Sequence, residues 1–169
     1  MNNNEYATIK TQTLVSIALY AAIVATVTMF TSIQYTQGGY FNLGDVAVML
    51  LGALIPFRHA LIAVSVGSML ADGFVGAIYY MVFTGIIKGL MVVVIHLLRK
   101  MLDTKLFFVP FLIGSLLMVI LYGVVDAFLL GGYTFYASVS TNLAQGILGF
   151  VITTVAYPFS IKLRDYLKE

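Results

Sequence analysis

VAVMLLGALIPFRHALIAVSVGSMLA, residues 46–71, is apolar along most of its length but is interrupted by Pro56, Arg58 and His59. As one membrane-crossing helix it would place all three near the bilayer centre. An arginine there costs about 2.5–3.5 kcal/mol, and the proline removes a helical hydrogen bond besides. As two short helices joined at Pro56–His59, the same stretch moves the charge to an interface. Each half then spans too little to cross a flat bilayer alone and must lean on protein neighbours or be extended by its flanks. The two-helix reading wins on charge.

Around this stretch lie segments that need no such choice. A crossing helix requires roughly 20 apolar residues, and Leu14–Ile33, Tyr79–Leu98, Phe107–Leu130 and Leu143–Ile161 supply them. The first is too long for the core of a signal peptide and is followed by no small-residue cleavage pattern, so it is expected to be retained. The chain of 169 residues is 61% hydrophobic and 9% charged, where a soluble domain is about 25% charged. A net charge of +2 is too small for a nucleic-acid-binding surface. With no cysteine, disulfide frameworks and thiolate metal sites are excluded. Few prolines and no long polar run leave no linker or disordered segment. The expectation is an all-α integral membrane bundle of six transmembrane helices forming a single domain, 1–169.

The distribution of basic residues tests that count. With six helices and both termini cytoplasmic, the inner segments carry Lys10, Arg58, Arg99, Lys100, Lys105, Lys162, Arg164 and Lys168, eight of the nine basic residues. The outer segments Gln34–Gly44, Asp72–Ile78 and Gly131–Thr141 carry none, as the positive-inside rule requires. With five helices the Arg99–Lys105 cluster would face outward. Tyr35, Tyr40, Tyr79, Tyr133 and Tyr136 fall in or beside the outer segments, where tyrosine is an ordinary interfacial anchor. The polar, uncharged first loop, Gln34 to Asn42, reads equally as an interfacial turn or as a lid over an outward cavity.

Catalytic signatures are missing. There is no GxxxxGK[ST] phosphate loop, HExxH pair, GxSxG turn or cluster of His, Asp and Glu at metal spacing, so neither metal nor cofactor is expected. His59 and His96 lie near expected cytoplasmic ends and suit interfacial roles. The informative residues are intramembrane and polar. Lys88 lies too deep in the fourth helix to reach either face, so it pairs with Asp45, Asp72 or Asp126, or with a polar substrate group. Asp126 lies one turn from Tyr122, and Asn142 and Gln145 open the sixth helix on one face. Amides donate and accept, and Phe83, Tyr79 and Tyr133 offer rings for stacking or for ordinary packing. Asp45 is expected to cap the second helix, and Asp72–Gly73 to end the third. Small-xxx-small faces occur at Ala18/Ala22, Ala21/Ala25 and Gly85/Gly89, which allow close helix approach, internally or to a partner.

Three ordered motifs, Asn42-Leu43-Gly44-Asp45, Gly67-Ser68-Met69-Leu70-Ala71-Asp72 and Ile87-Lys88-Gly89-Leu90, resemble the substrate-binding S components of energy-coupling-factor (ECF) vitamin transporters over nearly the whole chain. The resemblance is to the subfamily that includes hydroxymethylpyrimidine and pyridoxine-type members. It implies a multi-pass protein of a bacterial plasma membrane that captures a vitamin or precursor from outside and is not an enzyme. A transmembrane coupling protein and two ATPases would drive uptake. It further implies docking of Ala18 and Ala22 on the coupling protein and a lid formed by the first loop, with Gln34, Tyr35, Tyr40 and Asn42. The implied pocket holds Lys88, Tyr122, Asp126, Asn142 and Gln145, with Tyr79 and Phe83 as ring partners. Hydroxymethylpyrimidine or a pyridoxine-like B6 vitamer fits this set best, with riboflavin and thiamine as alternatives. A stand-alone carrier using Lys88 and Asp126 as a proton relay is the competing class, but no inverted repeat with broken helices supports it. A membrane enzyme or assembly factor is a third class that no motif encourages.

Overall fold

Pro56 divides the chain. In the computed structural model α2 (Gly44–Leu54) ends and α3 (Phe57–Val75) begins on either side of it, with Pro56 itself in extended conformation. The structure describes residues 3–34 and 40–166, with side chains for 10–34, 40–164 and 166. Six α-helices occur among them. The others are α1 (Asn3–Phe30), α4 (Met81–Met101), α5 (Val109–Leu130) and α6 (Phe135–Tyr166). Two-residue strands β1 (Ile33–Gln34) and β2 (Tyr40–Phe41) pair antiparallel, Ile33 opposite Phe41 and Gln34 opposite Tyr40.

The polarity of the bundle is inverted relative to a water-soluble protein. Leu14, Leu19, Phe30, Phe74, Val82, Phe128, Val155 and Phe159 are exposed, whereas Asp45, Asp72, Lys88 and Gln145 are buried. An apolar exterior of this extent needs a hydrocarbon solvent rather than water. Four helical segments are long and apolar enough to cross a membrane: Lys10–Phe30, Ile78–Met101, Thr104–Leu130 and Gly132–Arg164. The eleven residues of α2 extend only about 16 Å at 1.5 Å per residue.

That short helix is the centre of the bundle and touches all five others. Small residues make this feasible: a Cβ on Gly52 would lie 3.5 Å from the Val92 backbone. Because α2 fills only about half a bilayer, its N-terminal end leaves space between the longer helices around it. At its other end, Arg99 of α4 donates to the carbonyl of Ala53, one of the orphan acceptors of a helix terminus, and stacks 4.9 Å from the Tyr157 ring. His96 packs on Phe57 at 4.9 Å. The Pro56 junction, the end of α4 and the later part of α6 therefore share one end of the bundle.

Several boundaries differ from the sequence expectation. The third helix does not stop at Asp72–Gly73; it continues to Val75 and is closed by Gly76 in the left-handed region (φ 85°), whose N–H bonds to the Asp72 carbonyl. The sixth helix begins at Phe135, not Leu143, which reduces the expected outer loop Gly131–Thr141 to a single turn around Gly131–Thr134. Two hydroxyls that made this segment look loop-like are absorbed by the helix: Ser140 donates to the Tyr136 carbonyl and Thr141 to that of Ala137, local bonds that satisfy them without water.

The small-residue faces divide in two. Ala21 and Ala25 are buried, and a Cβ at Gly67 would meet the Ala21 carbonyl at 2.5 Å and Val24 Cβ at 2.9 Å. This face is internal packing of α1 on α3. Ala18 and Ala22 are exposed. Gly85 and Gly89 face Met69 and Ser65 of α3, so GxxxG also serves internal packing.

Candidate substrate-binding site

The space above the N-terminus of α2 is a cavity lined almost entirely by polar and tyrosyl side chains. Five helices contribute, four of them through residues one turn apart. Ser68 and Asp72 come from α3, Thr84 and Lys88 from α4, Tyr122 and Asp126 from α5, Asn142 and Gln145 from α6, and Thr28 from α1; Tyr40 and Asn42 of the first loop and Tyr80 complete the wall. Other hollows are larger, such as one of about 330 Å³ beside Arg99, Phe107 and Tyr157, but they are mainly apolar. Convergent polar groups, rather than size, distinguish this cavity.

At its base is a five-residue hydrogen-bonded chain. The Lys88 ammonium bonds to Asp45 Oδ1. Gln145 Nε2 donates to Asp45 Oδ2 at 2.6 Å, and Gln145 Oε1 accepts the backbone N–H of Asn42 at 3.0 Å. Asn42 Oδ1 in turn accepts the N–H of Gly44 at 2.8 Å. Residues 100 apart in sequence thus bind the loop to α2, α4 and α6. Of the two expectations for Asp45, the pairing with Lys88 holds and the cap does not: the N-cap of α2 is Leu43, the first N–H is held by Asn42, and both Asp45 oxygens are engaged by Lys88 and Gln145.

Above the base, tyrosines meet carboxylates. The Tyr40 hydroxyl donates to Asp72 Oδ1. Burial, then the Asp72 carboxylate, push that hydroxyl's pKa well above the ordinary tyrosine value, so it stays a donor. Tyr80 donates to Asp126 Oδ1 at 2.7 Å, and Tyr122 to Thr84 Oγ1 at 3.0 Å. The Lys88 Nζ also lies 5.2 Å from the centre of the Tyr122 ring, within cation–π range. Asn142 Nδ2 donates to the Ser138 carbonyl at 2.9 Å and hydroxyl at 3.1 Å, which leaves its oxygen for the cavity. The cavity volume is about 40 Å³, room for a few waters; a heterocycle requires side chains to move.

The sequence candidates separate as follows. Lys88, Tyr122, Asp126, Asn142, Gln145, Tyr40 and Asn42 come together at the cavity. Tyr79 does not: it is 85% exposed, while its neighbour Tyr80 turns inward, a one-residue difference across a short 3-10 turn. Phe83 packs on Phe128 with ring centroids 6.3 Å apart, away from the cavity wall. Gln34 ties the hairpin to the end of α3 through the Val75 carbonyl at 2.9 Å. Tyr35, with the part of the expected lid at 35–39, lies outside the described residues. Thr28, Ser68, Tyr80 and Thr84 line the cavity without having been singled out, and Asp72, expected as a helix stop or a partner of Lys88, joins them. The signal for two of them was periodicity: Thr84 and Ser68 stand four residues before Lys88 and Asp72.

No metal-binding group of three or more His, Cys, Asp or Glu occurs among the described residues. The sequence matches the family model described as ECF-type riboflavin transporter, S component, over residues 8–162. No curated protein matches it.

Proposed function

The chain belongs to the family of S components of ECF-type riboflavin transporters, and from that premise we propose that its polar cavity captures a small heteroaromatic vitamin or precursor for ATP-driven uptake. Our first candidates are hydroxymethylpyrimidine and a pyridoxine-like B6 vitamer. The observation that carries the reading is the cavity itself, where polar side chains from five helices, carboxylates, amides and a tyrosyl hydroxyl among them, converge inside an apolar exterior. Riboflavin is the second candidate, favoured by the description of the matched family.

In this reading the whole chain forms one domain in a bacterial plasma membrane, with all six helices embedded. Both termini face the cytoplasm. The support is the common end shared by Arg58, Arg99 and the α4–α5 turn, opposite the polar cavity. A coupling protein and two ATPases supply the energy. Ala18 and Ala22 form the docking surface, supported by their exposure beside the buried Ala21/Ala25 face. Tyr40 and Asn42 anchor the loop that covers the ligand.

The test is thermal stabilisation of the detergent-purified chain by a vitamin panel, followed by uptake into vesicles holding the complete transporter. A ligand at a hundred times its Kd stabilises by about 2.7 kcal/mol. Stabilisation by one compound, with ATP-dependent uptake of it, supports the reading. Uptake that proceeds without the ATPases refutes it in favour of a stand-alone carrier.

A further inference from the structure

The charge balance of the cavity is lopsided. Lys88 is the one cation lining it among the described residues, and its ammonium is bonded to Asp45. Two more carboxylates, Asp72 and Asp126, line the same wall, and neither has a cation within ion-pair distance among those residues. Each Oδ1 holds one tyrosine hydroxyl. Asp72 is 1% exposed and its Oδ2 has no hydrogen-bond partner; the Thr84 hydroxyl and the Lys88 charge act on the carboxylate from nearby. One turn earlier on α3, the Ser68 hydroxyl is also buried and unpartnered. Buried polar atoms are nearly always satisfied, and leaving a carboxylate oxygen without a donor is costly.

We propose, resting on the S-component reading, that the cavity selects a heteroaromatic ligand bearing an amino group or positive charge, and that Asp72 Oδ2 anchors it, with Ser68 as the adjoining contact. Lys88 has its charge paired with Asp45, whose other oxygen is held by Gln145, so it can offer a ligand its remaining N–H donors but no uncompensated charge. The role belongs to α3, which presents an acceptor that lacks a donor, one turn from a hydroxyl that lacks a partner. An uncharged ligand without amino groups would leave Asp72 and Asp126 with no cation but Lys88, which Asp45 already pairs.

The experiment is calorimetric titration of the full chain in detergent with thiamine, 4-amino-5-hydroxymethyl-2-methylpyrimidine, the pyrimidine lacking its amino group, and riboflavin. We expect the amino or cationic compounds to bind, and removal of the amino group to weaken binding roughly ten- to a hundredfold, as for loss of a hydrogen bond to a charged group. Asp72→Asn should weaken the amino compounds by a similar factor. Its amide oxygen still accepts from Tyr40, so the loop contact is kept. The comparison of ligands on the unaltered chain decides the matter even if Asp72→Asn misfolds. The proposal is overturned if riboflavin binds equally to the wild type and Asp72→Asn, or if no amino or cationic compound binds. Co-purification with the coupling protein and ATPases scores the S-component reading separately, so the two failures are distinguishable.

Discussion

Replacing Lys88 by methionine should be among the most damaging single changes available to this chain. Lys88 and Asp45 have side chains 5% and 1% exposed, so solvent screens neither. Methionine matches the length of the aliphatic stem but leaves Asp45 buried with only the Gln145 amide at 2.6 Å. Removing one partner of a buried pair typically costs about 3–5 kcal/mol. For a chain of this size each kcal/mol corresponds to about 2–4 °C in Tm, so the midpoint should fall by about 6–20 °C. Adding Asp45→Asn to Lys88→Met removes the stranded charge as well. Replacing both members of a buried pair is often close to neutral, so the double variant should recover most of the loss. The assay is the temperature at which half the detergent-solubilised protein stays monodisperse on size exclusion, which needs neither tryptophan nor cysteine. A fall of less than about 1 kcal/mol for Lys88→Met, the size of an exposed pair, would show that the pair is solvated and that the base of the cavity is not a dry network. A double variant worse than the single would refute the stranded-charge explanation.

The other predictions concern separate parts of the molecule. Gly67→Val should lower the melting temperature through about 1–3 kcal/mol of overpacking, because its Cβ meets the Ala21 backbone; an unchanged midpoint would mean that α1 moves off α3 freely. Ala18→Trp, on an exposed face, should abolish ATP-driven uptake while leaving ligand binding and melting temperature intact, whereas Ala21→Trp should fail to fold. Tyr40→Phe removes the donor to Asp72 and should raise the ligand dissociation rate by roughly tenfold or more, the worth of a bond to a charged acceptor, measured by stopped-flow release. The pH dependence has a definite sign. The raised pKa of the Tyr40 hydroxyl makes its contribution fully present below the unfolded tyrosine value of about 10. That contribution is lost progressively above it, where folding requires proton uptake. Melting temperature attributable to Tyr40, taken as the difference from Tyr40→Phe, should therefore be flat from pH 6 to 9 and fall above about 10.

The architecture was legible where one residue's chemistry left no choice. Pro56 and Arg58 in an apolar stretch forced a break whichever fold surrounded them, and the break lies between Leu54 and Phe57. Helix ends marked only by polarity were not legible. Residues Phe135–Thr141 look like a loop because hydroxyls and tyrosines read as solvent-facing, but Ser140 and Thr141 satisfy themselves on the carbonyls one turn back. Asp72–Gly73 resembles a helix stop, yet glycine closes α3 only at Gly76, where the backbone enters the left-handed region.

The cavity was half legible for a related reason. A polar residue in an apolar helix is conspicuous alone, which is how Lys88, Asp126, Asn142 and Gln145 stood out. Ser68, Thr84 and Thr28 are not conspicuous, since a hydroxyl can always bond its own helix. Only their spacing from Asp72 and Lys88 distinguished the first two. Asp45 and Asp72 were assigned local tasks, a cap and a stop, as well as being candidate partners of Lys88; depth in the membrane suggested the pair 43 positions apart that forms with Asp45, but nothing in the sequence pointed to Gln145, 100 positions away. The three-dimensional assignment reverses the expected division of labour. Lys88, the most conspicuous residue in the sequence, ties α4 to α2 through Asp45, and of the two carboxylates outside that ion pair, Asp72 is one that looked structural. Among the cavity's lining residues, the buried polar atoms without a hydrogen-bond partner, Ser68 Oγ and Asp72 Oδ2, both lie on α3.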